Sequence, residues 1–289
     1  MSRSATSRPA SARRTAAITL TSVALVAGLV GCSAAAAPTP ATTSATDAAA
    51  PVASEGPKPT IVFVHGAWAD TSSFDAVSDT LGEEGYTVVD FANPLRSLAG
   101  DTAYLSSFLE TRTSGPVVLV GHSYGGALIS GAASSDPDVK SLVFVNAFVP
   151  EEGESILELS SKAGPVDADA LFDKAPFGED EVDLYLKKDA FAGGFSNGLT
   201  DAQTATYFAG QRPITYAAIN ELAGADQAWK TLPSWYIAGS EDHSIDISTQ
   251  LFMAERAGST VTELETGHLS MVGDPAATVK VIQDAAAAE

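Results

Sequence analysis

The stretch Val117-Val118-Leu119-Val120-Gly121-His122-Ser123-Tyr124-Gly125-Gly126 reads as a buried strand that ends in Gly-x-Ser-x-Gly and runs straight into a helix. The four leading residues are apolar and mostly β-branched, which suits a strand enclosed on both faces. Downstream, Ala127, Leu128, Ile129, Ala132 and Ala133 make a small-residue helical face fit for close packing on a sheet. A serine between the strand and the helix sits in a strained turn, and the two elements crowd each other two residues before it and two after. Gly121 and Gly125 put residues without a Cβ at those two points. This is the pattern of a nucleophile elbow, with Ser123 as the candidate nucleophile.

A serine hydroxyl is a weak nucleophile on its own and needs a base and an orienting acid. Of the four histidines, His65 lies in a His-Gly pair, His122 is part of the elbow and His243 follows Glu241-Asp242. His268 stands in a loop between the short strand Thr260–Leu264 and a C-terminal helical segment, where an imidazole can reach over Ser123; it is the candidate base. The strand Ser234–Ala238 ends in Gly239-Ser240-Glu241-Asp242-His243-Ser244-Ile245-Asp246. An acid at a strand's C-terminal edge can hold the imidazole Nδ1, so Asp242 is the candidate acid, with Glu241 and Asp246 as local rivals. Charge developing on a carbonyl oxygen also needs backbone donors. The candidates are the N–H groups of Tyr124 and of Ala67, the latter exposed by a tight turn at Gly66. His65 reads as a brace for that loop, and Trp68 as a wall of the substrate pocket.

Apolar runs predict strands at Thr60–His65, Tyr86–Phe91, Val117–Val120, Lys140–Asn146, Ser234–Ala238 and Thr260–Leu264, with helical patterns between them. Phe74, Val77 and Leu81 recur at helical spacing after Asp70-Thr71, and Asp274-Pro275 opens a last helix with Val279 and Ile282 inward. Alternating strands and helices imply an α/β fold, a doubly wound and mostly parallel sheet of about six strands. Between about residues 148 and 229 the alternation stops, and Pro, Gly and acidic residues interrupt short amphipathic pieces. That insertion is expected to be a helical cap over Ser123 that sets substrate choice.

The order Ser, Asp, His is that of α/β-hydrolases, and the chain resembles that superfamily over roughly residues 59–289. Within it, the chain is similar to the small cofactor-free esterases grouped with plant methyl-ester esterases and hydroxynitrile lyases. The matching pieces are His65-Gly66-Ala67-Trp68, Asn93-Pro94-Leu95, the elbow, Ser234-Trp235-Tyr236, Phe252-Met253-Ala254-Glu255-Arg256-Ala257-Gly258 and Gly267-His268. The resemblance implies a sheet lacking the first two strands of larger relatives, no cofactor and no metal. The lyases of this group carry threonine and lysine where this chain has Gly66 and Leu269, so the resemblance points to ester hydrolysis. Relatives often have an aspartate at the end of the strand before the cap; here it is Asn146, which excludes an acid at that position.

The first 31 residues read as a lipoprotein signal peptide. Arg3, Arg8, Arg13 and Arg14 precede the apolar run Ala16–Val30, which is shorter than an ordinary membrane span, and Leu29-Val30-Gly31-Cys32 resembles a bacterial lipobox. Cys32 is therefore the expected lipidation site and membrane anchor, on an exported chain. As the one cysteine of the sequence it can form no intramolecular disulfide. Residues 32–58 are rich in Ala, Thr, Ser and Pro and read as a tether. With 16 Lys and Arg against 36 Asp and Glu, the formal net charge is −20. Such a surface repels phosphate backbones, so nucleic acid is not expected as a partner.

Together these features predict a serine-dependent carboxylic ester hydrolase that acts through an acyl-enzyme on small-molecule esters. Lyase, lactonase or cofactor-free haloperoxidase chemistry on the same scaffold stays open at this point. So does a non-catalytic binding lipoprotein.

Overall fold

Valine, isoleucine and phenylalanine fill the strands that pack deepest, and these strands define the centre of the molecule. The structure is a computed structural model that describes residues 58–179 and 181–288. The expected signal peptide, Cys32 and all but the last residue of the tether lie outside the described residues. In chain order come β1 Thr60–Val64, α1 Asp75–Glu83, β2 Thr87–Phe91, α2 Leu98–Arg112, β3 Val117–His122, α3 Tyr124–Ala132 and β4 Val139–Val145. After the insertion follow two more strands of the same sheet.

The insertion contains α4 Ile156–Ser160, α5 Ala168–Leu171, β5 Phe172–Phe177, β6 Glu181–Leu186, α6 Lys188–Ala190, α7 Asp201–Gly210, β7 Ile214–Thr215 and α8 Tyr216–Asn220. The chain then returns through β8 Ser234–Gly239, α9 Ile247–Arg256, β9 Thr260–Leu264, α10 Ser270–Gly273 and α11 Pro275–Ala286. The main sheet has the order β2-β1-β3-β4-β8-β9, with every neighbouring pair parallel. Side chains of β3 are buried throughout, as the unbroken apolar run requires when helices cover both faces.

From β1 the chain moves outward to β2, then crosses back to place β3 on the other side of β1. The C-terminal ends of β1 and β3 therefore flank a topological switch point, where open α/β sheets form their ligand crevices. The His65–Trp68 loop leaves one of these ends and the elbow leaves the other.

Helix starts follow local chemistry. Ser155 and Glu158 form a reciprocal capping box at α4, as do Thr200 and Gln203 at α7. Asp274 accepts from Ala277 N at 2.9 Å with Pro275 in the first turn of α11.

The cap carries the expected helices and also a three-stranded antiparallel sheet of order β5-β6-β7. The sequence Glu181-Val182-Asp183-Leu184-Tyr185-Leu186 alternates polar and apolar with period two, which one half-covered strand face demands. Gly178, at φ 61°, supplies the left-handed residue in the β5–β6 turn. Arg96 joins the cap to the main sheet. It contacts the Asp183 carboxylate at 2.6 Å and donates to Pro213 O at 3.1 Å, while its own carbonyl accepts from Thr215 Oγ1 at 2.7 Å.

Candidate active site

Ser123 joins β3 to α3 with φ 53° and ψ −123°, a strained backbone for a residue that carries a Cβ. Its neighbours explain how the strain is held. A Cβ on Gly121 would meet Gly125 O at 2.8 Å, and one on Gly125 would overlap the carbonyl of Val64. The elbow is thus pressed against the end of β1, and hydrogen-sized residues are compulsory at both points. Ser123 N donates to Val145 O at 3.3 Å, and Ser123 O accepts from both Gly126 N and Phe148 N.

The carboxylate that meets His268 is that of Asp242: Oδ2 lies 2.8 Å from His268 Nδ1, with both side chains buried. Oδ2 also accepts from Asn146 Nδ2 and from Gln250 Nε2, each at 3.1 Å. Oδ1 accepts from Ser244 N at 2.7 Å and Ile245 N at 2.9 Å. Five donors therefore converge on one carboxylate and fix its plane. Neither rival acid takes this place. Asp246 caps α9 by accepting from Ser248 N at 2.9 Å, and Glu241 is exposed.

Ser123 and His268 face one cavity of about 150 Å³, and Ala67, Trp68 and Tyr124 line it too. Among the described residues, no acceptor takes the backbone N–H of Ala67 or of Tyr124. The Tyr124 side chain is anchored by its hydroxyl, which donates to the buried Asp101 at 3.1 Å. Trp68 has φ 57°, unusual for a bulky side chain. Three contacts hold it: its backbone N–H donates to Arg212 O at 2.8 Å, its indole donates to Leu184 O at 2.9 Å, and its ring stacks on Phe172 at 5.4 Å. No Lys, Arg, Asp or Glu lines the cavity among the described residues.

His65 and His122 are both buried and do different work. His65 Nδ1 donates to Gly66 O at 2.8 Å and Nε2 accepts from Asn93 N at 3.1 Å, so the neutral ring ties the first loop to the Asn93-Pro94-Leu95 turn. Burial lowers its pKa to about 4. His122 Nε2 donates to the carbonyl of His268 at 3.1 Å, and burial pushes its pKa well below the usual histidine range. Over the top, the Phe195 ring of the cap lies 5.2 Å from the His268 ring. Asn197 Nδ2 donates to Glu241 O at 2.6 Å, holding the cap against the loop that follows β8.

The α/β hydrolase family model matches residues 61–281. The chain belongs to the alpha/beta hydrolase family. This family member is 35% identical over 126 residues to a carbendazim hydrolyzing esterase from Nocardioides sp. (strain SG-4G), a match over 38% of this chain and 51% of that protein. The chain thus spans about half the length of that relative. Among solved structures it is similar to polyneuridine aldehyde esterase, with TM-score 0.68 and 21% identity over 78% of this chain and 98% of the other. It is also similar to a methylesterase from Arabidopsis, with TM-score 0.67 and 18% identity over 80% and 100% of the two chains. At these identities the two structures share the fold with this chain.

Three contacts at the site were not legible in the sequence. Asn146 registered there as a missing acid, yet its amide grips Asp242, and its φ of 44° turns the end of β4 toward that carboxylate. Gln250 lies on α9 and reaches Asp242 across a turn, and His122 holds the backbone of His268 rather than reacting. The Asn146 and His122 contacts join residues far apart in the chain, and the Gln250 contact depends on how the loop before α9 folds back.

Proposed function

We propose that this chain is a serine-dependent carboxylic ester hydrolase working through an acyl-enzyme. Ser123 Oγ attacks the ester carbonyl while His268 takes its proton, and Asp242 keeps the imidazole in the required tautomer. The oxyanion of the tetrahedral intermediate is met by the N–H groups of Ala67 and Tyr124. Collapse breaks the bond to the alcohol, which leaves with the proton from His268. Water, activated by the same imidazole, then releases the acid. The observation that carries this reading is the buried Asp242–His268 pair opening onto the same apolar cavity as the strained Ser123.

Hydrolysis is favoured over cyanohydrin cleavage because the residue after His268 is the buried Leu269, and no Lys or Arg lines the cavity among the described residues to receive departing cyanide. The name of one relative, a carbendazim hydrolyzing esterase, agrees with a small-molecule ester substrate. The basic start of the chain, the short apolar run and Leu29-Val30-Gly31-Cys32 support a further part of the proposal, that the enzyme is an exported lipoprotein tethered at the membrane through Cys32.

The test is kcat/KM on a panel of p-nitrophenyl and methyl esters for wild type, Ser123→Ala, His268→Ala and Asp242→Ala, beside a cyanohydrin-cleavage assay. The serine and histidine variants are expected to lose about ten-thousandfold or more and by similar factors, because the groups act as a unit. Near-native turnover by Ser123→Ala, or faster cyanide release than acid release, would overturn the reading.

A further inference from the structure

We propose that the apolar face of the β5–β6 hairpin is a second substrate subsite, which holds the longer arm of an extended, uncharged ester whose carbonyl sits at Ser123. The proposal rests on the ester-hydrolase reading and adds a substrate shape to it.

Size is the first observation. The cavity at Ser123 measures about 150 Å³, whereas small-molecule sites usually enclose roughly 300–1,000 Å³. A neighbouring chamber of about 480 Å³ lies within the cap. Leu157, Val166, Phe172 and Ile219 line both spaces, so the two adjoin.

The strand period supplies the path between them. Residues two apart on a strand point to the same face. On β6, Leu186 lines the inner cavity, while Leu184 and Val182 line the outer chamber. Across the hairpin, Phe172 pairs with Leu186 and Lys174 pairs with Leu184. One strip of side chains therefore runs outward from the cavity at Ser123, over the five residues from Leu186 to Val182 and a length of about 13 Å. Lys174 contributes its methylene stem, while its ammonium is engaged with Asp169 at the surface, 2.6 Å away. Covering is incomplete at the outer end: Val182, Val166 and Ala168 are half-buried and Tyr216 is 49% exposed.

The strip is also fixed relative to the reacting atoms. Leu184 O accepts the indole N–H of Trp68, whose ring stacks on Phe172, and Trp68 directly follows the oxyanion donor Ala67. An arm lying on the strip would be positioned against the carbonyl it belongs to. A charged arm would lose hydration without gaining a partner, so the fitting arm is hydrocarbon or aryl.

The test uses two ester series, one lengthened in the acyl chain and one in the alcohol, and reads the ratio of long- to short-ester kcat/KM. Wild type is expected to favour long esters in one series. Val182→Trp and Ala168→Phe, which fill the outer chamber, are expected to lower that ratio by about tenfold or more. Tyr185→Trp, on the opposite face of the same strand, is expected to leave the ratio unchanged, and a change equal to the other two would mean mere distortion of the hairpin and overturn the subsite. A wild-type ratio at or below one in both series, or filled variants that keep the wild-type ratio, would also overturn it. Calorimetric titration with unreactive alkyl ketones of matched length separates the two readings. If no ester is turned over, the hydrolase reading falls. Ketone affinity that still rises with length in wild type, and not in the filled variants, would then sustain the strip, and flat affinity would overturn it.

Discussion

Asn146 Nδ2 stands 3.1 Å from Asp242 Oδ2, the oxygen that lies 2.8 Å from His268 Nδ1. The amide comes from the end of β4 and the carboxylate from the loop after β8, so two neighbouring strands hold the acid between them. Asn146 also donates to Gly267 O at 3.3 Å, one residue before the histidine. It is a positioning residue for both partners. Replacing it by aspartate sets two carboxylates within hydrogen-bonding distance, where both cannot stay ionised at neutral pH. Asn146→Asp is expected to lower kcat/KM at pH 7 by about 10- to 100-fold and to move the acid limb of the pH–rate profile upward, with activity returning at higher pH. An acid limb identical to wild type would show that the amide does not act through Asp242.

Glycine substitutions should separate elbow sterics from ordinary helix propensity. Gly125→Ala drives a methyl group into the Val64 carbonyl, and is expected to cost about 3 kcal/mol or more. Gly82, within α1, has nothing within 4 Å of a Cβ, so Gly82→Ala is expected to gain about 0.5–1 kcal/mol. Thermal melts of the two variants should move in opposite directions.

His65 gives the fold an acid weakness. Its pKa is about 4 in the folded chain and 6.5 without the fold. Between these values the unfolded chain binds the extra proton, so stability is full above pH 6.5 and falls as pH drops toward 4. The loss from this one group is of order 3 kcal/mol. His65→Gln is expected to be less stable than wild type at pH 7 yet to lose less between pH 7 and pH 4.5. Melting curves across that interval measure the difference, and parallel slopes for the two proteins would refute it.

Anchoring is tested by fractionating cells that express wild type and Cys32→Ala, with an intact mass of the membrane form. Wild type is expected in the membrane with two or three acyl chains, enough for stable attachment where one would be marginal. The alanine variant is expected to leave that fraction. Soluble wild type without acyl mass would refute the lipoprotein assignment.

Short-range physics made much of the fold legible. The six strands of the main sheet lie within a residue or two of the apolar, β-branched runs that announce them; the four central ones, β1, β3, β4 and β8, are largely buried and have little freedom in composition. Gly121 was legible because the atoms that exclude a Cβ there, Gly125 O and Gly126 Cα, belong to the same elbow, whereas the Cβ at Gly125 is excluded by the Val64 carbonyl of β1, a tertiary contact. The Asp274-Pro275 start of α11 is likewise settled within four residues.

Tertiary structure decided which groups meet. Glu241, Asp242 and Asp246 stand within six positions of one another and carry the same chemistry, and the path of one loop gives His268 to Asp242 alone. That path is held by Gln250 from α9 and Asn146 from β4. The cap hairpin was hidden because β5, Phe172–Phe177, is exposed along most of its length and carries Asp173, Lys174 and Pro176 in place of an apolar run, so the alternation of β6 gained meaning only once Phe172 and Leu186 packed around the cavity at Ser123. A sequence states which side chains are available and which local shapes they tolerate. The direction in which a loop delivers a carboxylate depends on contacts with other elements, here Asn146 at the end of β4 and Gln250 on α9, and those exist only in the folded chain.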